Sequence, residues 1–168
     1  MNKISKTAQI GQDGFRFDRD ETGKLVEIPH NFGVVLGDDL RIGEFVTVDK
    51  GRWRDTKIGD NTKIDHYAHI AHNAIIGKSC LIHAFVNICG GVEVGDFSEI
   101  FPHCNISPQI KIGKNSIIAS NSFLKNNVGD NELWAGAPAR FIRKLDWQDI
   151  ENILEKIRKL VLIINRFS

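Results

Sequence analysis

Stepping by six from Ile58 lands on Ile64, Ile70, Ile76, Ile82, Ile88, Val94, Ile100, Ile106, Ile112, Ile118 and Leu124, an aliphatic ladder without a miss. Four positions after each of these stands a small or β-branched residue: Thr62, Ala68, Ala74, Cys80, Val86, Val92, Ser98, Cys104, Ile110, Ser116, Ser122 and Val128. A period of six suits neither an α-helix nor a hairpin meander. It suits a short strand followed by a turn, with one aliphatic side chain driven inward each time. Three such hexads close one triangular coil, and coils stacked in parallel cover one another's apolar layers. The expected fold is all-β, a parallel β-helix over 1–140. Leu36, Ile42 and Val48 hold the register upstream, as do Ile4 and Ile10, and irregular loops are expected at 15–33 and 52–57.

A different period takes over near the C-terminus. Trp147, Ile150, Leu154, Ile157, Val161 and Ile164 alternate spacings of three and four, the seam of a helix that packs along one stripe. Asp146, with Asp149 three positions on, has the placement of a capping box in which Asp replaces Glu. A C-terminal α-helix is expected over 146–166, packed on the prism or closing a trimer.

Composition narrows the partners. Lys and Arg number 22 against 21 Asp and Glu in 168 residues, so no broad field draws the chain to nucleic acid or an anionic membrane. The N-terminus MNKISKTAQIG lacks the apolar core of a signal peptide, and the apolar run LVLII at 160–164 is too short to span a bilayer. Neither nucleic-acid binding nor membrane insertion is expected. Cys80, Cys89 and Cys104 are odd in number and form no C-x-x-C pair, which argues against a disulfide framework and a zinc ribbon and fits a cytoplasmic, reducing setting. Cys80 and Cys104 fall on inward positions, whereas Cys89 stands beside Gly90.

Residues able to do chemistry concentrate in IDHYAHIAHNAIIG, 64–77, where His66, His69 and His72 recur every third position. Laid onto the coils, His66 is the third residue of one hexad, His69 a turn residue and His72 the third residue of the next face. Zinc needs its nitrogens converging at about 2.0–2.1 Å, and side chains on different faces do not converge, so no metal site is expected within one chain. Gly90 lies one coil above His72 and carries no side chain, which leaves its N–H open to whatever His72 faces. A base below an open amide is what acyl transfer uses: the imidazole takes the nucleophile's proton and the N–H stabilises the oxyanion. Asn87 and Asn105 lie above His69, Asn87 placed for an acceptor hydroxyl and Asn105 in a ladder of turn amides. Tyr67, Phe85 and His103 form another column, read as packing or as contact between copies.

The stretches AHIAHNAIIG, VTVDKG and DTKIGDNTKID, with the opening IGQDGFRFDRDETGKLVEIPHNFGVVLGDDLRIG, resemble the hexapeptide-repeat acyltransferases of lipid A synthesis, and most of all the N-acyltransferase branch acting on UDP-linked acylglucosamine. The resemblance covers roughly residues 10–130. It implies a left-handed β-helix, against the usual right-handed preference of parallel crossovers, and homotrimers with active sites in the grooves between subunits. It puts the general base on His72 in the motif IAHN, with Asn73 beside it, and the oxyanion donor on the Gly90 amide. Position in the matching motifs implies acceptor contacts at Asp13, Asp49, His69, Asn73 and Asn87. Phe15 and Arg16, in the loop at 15–33, suit a nucleotide base and its diphosphate.

Three departures shape the expectation. That enzyme carries a nucleotide-binding domain ahead of its first coil, and this sequence starts almost at the coil. Its second histidine, in a motif like NGHMEI, is replaced by Gln109 in ISPQIKI. The ending WAGAPARFIRKL resembles instead the hexapeptide acetyltransferases that use acetyl-CoA, which implies coenzyme contacts at Arg140, Arg143 and Lys144 and at the small residues Ala119 and Ala137. The resemblance therefore implies transfer of an acetyl or short acyl group from acetyl-CoA to the amine of a nucleotide-linked amino sugar, for cell-surface polysaccharide or lipopolysaccharide, with no tightly bound cofactor. One alternative is a lipid-A-type N-acyltransferase fed by acyl carrier protein. Another is a metal-binding β-helix like the gamma-class carbonic anhydrases, whose histidine pair of characteristic spacing is missing here.

Overall fold

The computed structural model describes residues 1–146, so the heptad seam expected to be helical from Trp147 onward lies outside the described residues. Short strands sort into three largely parallel sheets of eight, six and five strands, each forming one face of a prism. Lys63–Ile64 pairs with Leu81–Ile82, then Glu99–Ile100, then Ile117–Ile118, each step being one coil of three hexads. The fold is the expected left-handed parallel β-helix. Among the described residues no helix is long and apolar enough to cross a membrane.

Both ladders read from the sequence are buried along their whole length. The polar members of the second ladder are satisfied inside it. Thr62 Oγ1 donates to the Gly77 carbonyl at 2.8 Å and accepts from the Cys80 N–H at 3.0 Å. Further up the stack Ser98 Oγ donates to the Gly113 carbonyl at 2.7 Å and accepts from the Ser116 N–H at 3.1 Å. An inward hydroxyl is therefore tolerated wherever a coil-to-coil bond closes on it. Toward the N-terminal end the ladder opens: Ile4 is 39% exposed.

The corners turn through left-handed backbone. Asn61, Tyr67 and Asn73 have φ of 58°, 60° and 63°, a region that asparagine visits readily and an aromatic residue seldom does. At one corner the aromatic residues compensate by stacking: Phe45 on Tyr67 at 5.1 Å, Tyr67 on Phe85 at 5.0 Å, and Phe85 on His103 at 4.8 Å. The predicted column is thus present, with Phe45 added at its foot.

Two insertions leave the stack intact. Thr47 pairs with His69, and Gln9 pairs with Thr47, although in both cases the partner lies further along the chain than one regular coil. The first insertion is not an irregular loop throughout, as expected for 15–33. Phe17–Arg19 and Leu25–Glu27 pair antiparallel, closed by Asp20 Oδ1 accepting from the Thr22 and Lys24 N–H groups. The second is shorter than 52–57, because Thr56–Ile58 is already a strand. The C-terminal boundary also moves: Glu132–Gly136 and Ala139–Lys144 form an antiparallel hairpin beyond 140. Ile88, fully buried between Ile70 and Ile106, carries the stack at the level of the site. Ile88→Ala is expected to lower unfolding free energy by about 2–5 kcal/mol, measured by urea denaturation.

Candidate active site

The six-stranded sheet sets Thr47, His69, Asn87 and Asn105 in one outward column, with His69 opposite Thr47 and Asn87 opposite His69. His69 is therefore a strand residue, not the turn residue expected, and the asparagine pair is a strand ladder closed by Asn87 Nδ2 donating to Asn105 Oδ1 at 3.3 Å. Beside this column opens a cavity of about 370 Å³ lined by Asp13, Phe15, Asp49, His69, Ala71, His72, Asn87, Cys89, Gly90 and Pro108. His69 and His72 consequently share a cavity, although hexad counting put them on separate faces. His66 does not join them; it lines a second cavity with His83 and takes a hydrogen bond from the Glu44 N–H at Nδ1.

His72 is held from several directions. Its ring meets His30 edge-to-face at 5.1 Å and Trp53 at 5.4 Å. Above it, a Cβ on Gly90 would lie 2.7 Å from both Cε1 and Nε2, so the ring occupies the space a side chain at 90 would need. Nδ1 lies 2.8 Å from Asn73 Oδ1. Asn73 donates through Nδ2 to the Arg54 carbonyl and accepts at Oδ1 from the Arg52 N–H, which fixes its oxygen toward His72. Nδ1 therefore carries the proton and Nε2 keeps its lone pair. Asn73 is itself fully buried and does not reach the cavity; it orients the imidazole, where sequence had placed it among the acceptor contacts.

The Gly90 side of the cavity is equally defined. The Gly91 N–H donates to the His72 carbonyl at 2.9 Å and the Cys89 N–H to the Ile106 carbonyl at 3.1 Å, whereas the Gly90 N–H between them donates to no protein acceptor among the described residues. Burial pushes the Cys89 thiol up, which keeps it an uncharged wall of the cavity.

The remaining predicted residues are dispersed. Arg16 pairs with Asp18 and lines a neighbouring cavity with Phe15, Phe17 and Leu25. Asp13 is ion-paired to Lys50 at 3.0 Å. Arg140, Arg143 and Lys144 lie on the last strand of the eight-stranded sheet, a different face from His72, and Lys144 is bound to Glu132 at 2.9 Å. Ala137 is exposed at the tip of that hairpin, and Ala119 forms a corner where its carbonyl accepts from Ser122 Oγ. Within one chain, then, the site and the basic hairpin do not meet.

Sequence reasoning missed His30, Trp53 and Arg54. All three sit in the insertions, where counting by coils has no meaning. Arg54 pins the second insertion by bonding Glu93 at 2.9 Å, and this bond is the main reason the Glu93 carboxyl lies below the usual carboxylate range. His30 is 2% exposed and its Nε2 has no hydrogen-bond partner among the described residues. Burial, and then the neighbouring His72, push its pKa down.

Residues 55–90 match the family described as bacterial transferase hexapeptide (six repeats). Those residues carry the hexapeptide repeat of that family. A probable UDP-3-O-acylglucosamine N-acyltransferase 2, mitochondrial, of Arabidopsis thaliana is 38% identical over 130 residues, 77% of this chain and 43% of the relative. The UDP-3-O-acylglucosamine N-acyltransferase of Methylobacterium nodulans is 38% identical over 137 residues, 82% of this chain and 39% of the relative. The hexapeptide-repeat chain thus spans about two fifths of the length of these relatives. Among solved structures, the Francisella novicida UDP-N-acetylglucosamine acyltransferase superposes with a TM-score of 0.78 at 22% identity, covering 90% of this chain and 54% of that one. A variant of the Caulobacter crescentus perosamine N-acetyltransferase, solved with CoA and GDP-perosamine, gives 0.69 at 20% identity, covering 85% and 57%. At these identities the superpositions speak for the fold.

Two outcomes follow from the site geometry. Gly90→Ala puts a methyl against the imidazole and is expected to displace His72, seen as a shift of its ring resonances in NMR spectra, while the melting temperature changes little. The depressed pKa of His30 means that the unfolded chain binds protons first. Stability is therefore full above the ordinary histidine value of about 6.5 and declines as pH falls below it. In thermal scans from pH 7.5 to 5.5, His30→Gln is expected to lose less stability than the unsubstituted chain.

Proposed function

We propose that this chain is an N-acyltransferase that moves an acetyl or short acyl group from acyl-CoA to the amine of a nucleotide-linked sugar. One observation carries the reading: a histidine locked by Asn73 with a free Nε2, directly beneath the unengaged Gly90 amide. In this reaction the amine attacks the thioester carbon and His72 Nε2 removes its proton. The Gly90 N–H bonds the oxygen as it gains charge, and the thiolate departs with the proton held by His72. Asn87 and Asp13 contact the sugar, while Phe15 and Arg16 extend toward its nucleotide. The basic hairpin carrying Arg140 and Arg143 faces away from His72 within one chain. Coenzyme phosphates bound there are brought to His72 by a neighbouring subunit, so the working form is a homotrimer with sites between subunits.

A second reading is favoured by the 38% identity to chains named UDP-3-O-acylglucosamine N-acyltransferase. In it, the same base and amide act on a long acyl chain delivered by acyl carrier protein.

Free-thiol release from acetyl-CoA, measured against UDP-, GDP- and dTDP-linked amino sugars with mass spectrometry of the products, separates the two. A gain of one acetyl group supports the first reading. Silence with acetyl-CoA and a long-chain product with acyl carrier protein supports the second. In either case His72→Ala is expected to reduce turnover by about 10²- to 10⁴-fold; a variant with nearly normal turnover removes His72 from the role of base.

A further inference from the structure

An amine acceptor poses a proton problem that a hydroxyl acceptor does not. With a pKa like that of an α-amino group, about 8, it arrives at neutral pH as an ammonium with no lone pair to attack. N-acylation must remove two protons, one before the attack and one after. His72 offers a single acceptor atom, because Nδ1–H is committed to Asn73. The acceptor for the other proton must come from elsewhere in the cavity.

We infer that Asp49 takes the first proton from the ammonium, leaving His72 to take the second. The inference rests on the N-acyltransferase reading above and gives that site a preference for amines over hydroxyls. Asp49 ends the strand Thr47–Asp49, which pairs directly with His69–Ile70, and its side chain is 13% exposed in the cavity wall. Its Oδ2 lies 3.7 Å from His69 Nε2, while His69 Nδ1 is turned away to Thr47 Oγ1 at 2.7 Å. The charged and titratable groups facing it are His69, His72, His30 and Asp13. Asp13 is the other carboxylate of the cavity, but it is exposed and held by Lys50. Burial raises the Asp49 pKa more than anything else, and the three histidines pull it back. The result is a carboxylate more basic than an exposed one, as a proton acceptor for an ammonium needs to be.

The step balances as follows. An N–H bond of the ammonium breaks and its proton passes to an Asp49 oxygen. The freed lone pair forms the C–N bond at the thioester carbonyl, and the second N–H proton goes to His72 Nε2. The C–S bond breaks, the thiolate takes the proton from His72, and Asp49 returns its own to water at the cavity mouth. Ammonium and thioester become amide, thiol and one proton.

The test is kcat/KM for the acylated amino sugar between pH 6 and 9.5, for the unsubstituted chain and for Asp49→Asn, with thermal unfolding of each. The variant is expected to lose about tenfold per pH unit below the pKa of the acceptor amine and to come within about threefold of the parent above it. Asp49→Ser, with formate added to the assay, is expected to recover rate at low pH only. A loss of equal size at every pH, or no loss at any, overturns the inference and leaves Asp49 as a contact to sugar hydroxyls. If the unsubstituted chain acylates hydroxyl acceptors and no amine, the N-acyltransferase reading itself fails, and the inference with it.

Discussion

Every feature of this protein depends on one interaction, the stacking of an inward aliphatic side chain on its counterpart one coil away. Ile70 under Ile88 under Ile106 is a continuous apolar column with backbone bonds running alongside it. Because each layer covers the last, no coil can rotate or slip without exposing two layers at once. Outward side chains inherit that rigidity. The distance from His72 to the residue above it is set by the coil repeat, so glycine at 90 leaves a ring-sized space in a fixed place and an amide aimed along a fixed line.

The insertions supply what the repeat cannot. A solenoid repeats the same backbone at every level, and the stack alone does not fix how the His72 ring is turned. The shorter insertion does so by delivering the Arg54 carbonyl and the Arg52 N–H to the two ends of the Asn73 amide, which settles the tautomer of His72. The longer one brings His30 and Phe15 over the same corner, the first against the imidazole and the second into the cavity. Function is therefore written where the period is broken, and the period is what holds the broken parts in register.

This division explains what the sequence revealed. The two ladders, the coil length and the columns Tyr67–Phe85–His103 and His69–Asn87–Asn105 follow from counting, because burial enforces the count at each step. The vertical pairing of His72 with Gly90 was legible for the same reason. Misplacing His69 in a turn came from starting the hexad at the wrong residue: the outward strand residue precedes the inward isoleucine, so His69 belongs with Ile70. His30 left no periodic signal, since an insertion has no partner one coil away. The role of Asn73 was hidden differently. Its neighbourhood to His72 was plain, but only the fold shows that its corner turns inward and buries the amide behind the ring.

The same geometry shows why the site tolerates buried polar groups that a core would reject. The hydroxyls of Thr62 and Ser98 lie inside the prism and close on carbonyls of the next coil, so they leave nothing unsatisfied. His30 Nε2 is buried without a hydrogen-bond partner among the described residues, and Asp49 is largely withdrawn from water beside three imidazoles. Groups like these destabilise a fold by about 1–3 kcal/mol each when unpaired. A stack whose stability is spread over many equal layers can carry such a local cost at one level without losing register at the others. In a protein with a single central core the same groups would weaken the contacts that hold everything else. A β-helix confines the cost to one corner, which is a physical reason for buried polar groups to be gathered on the outside of stacked coils.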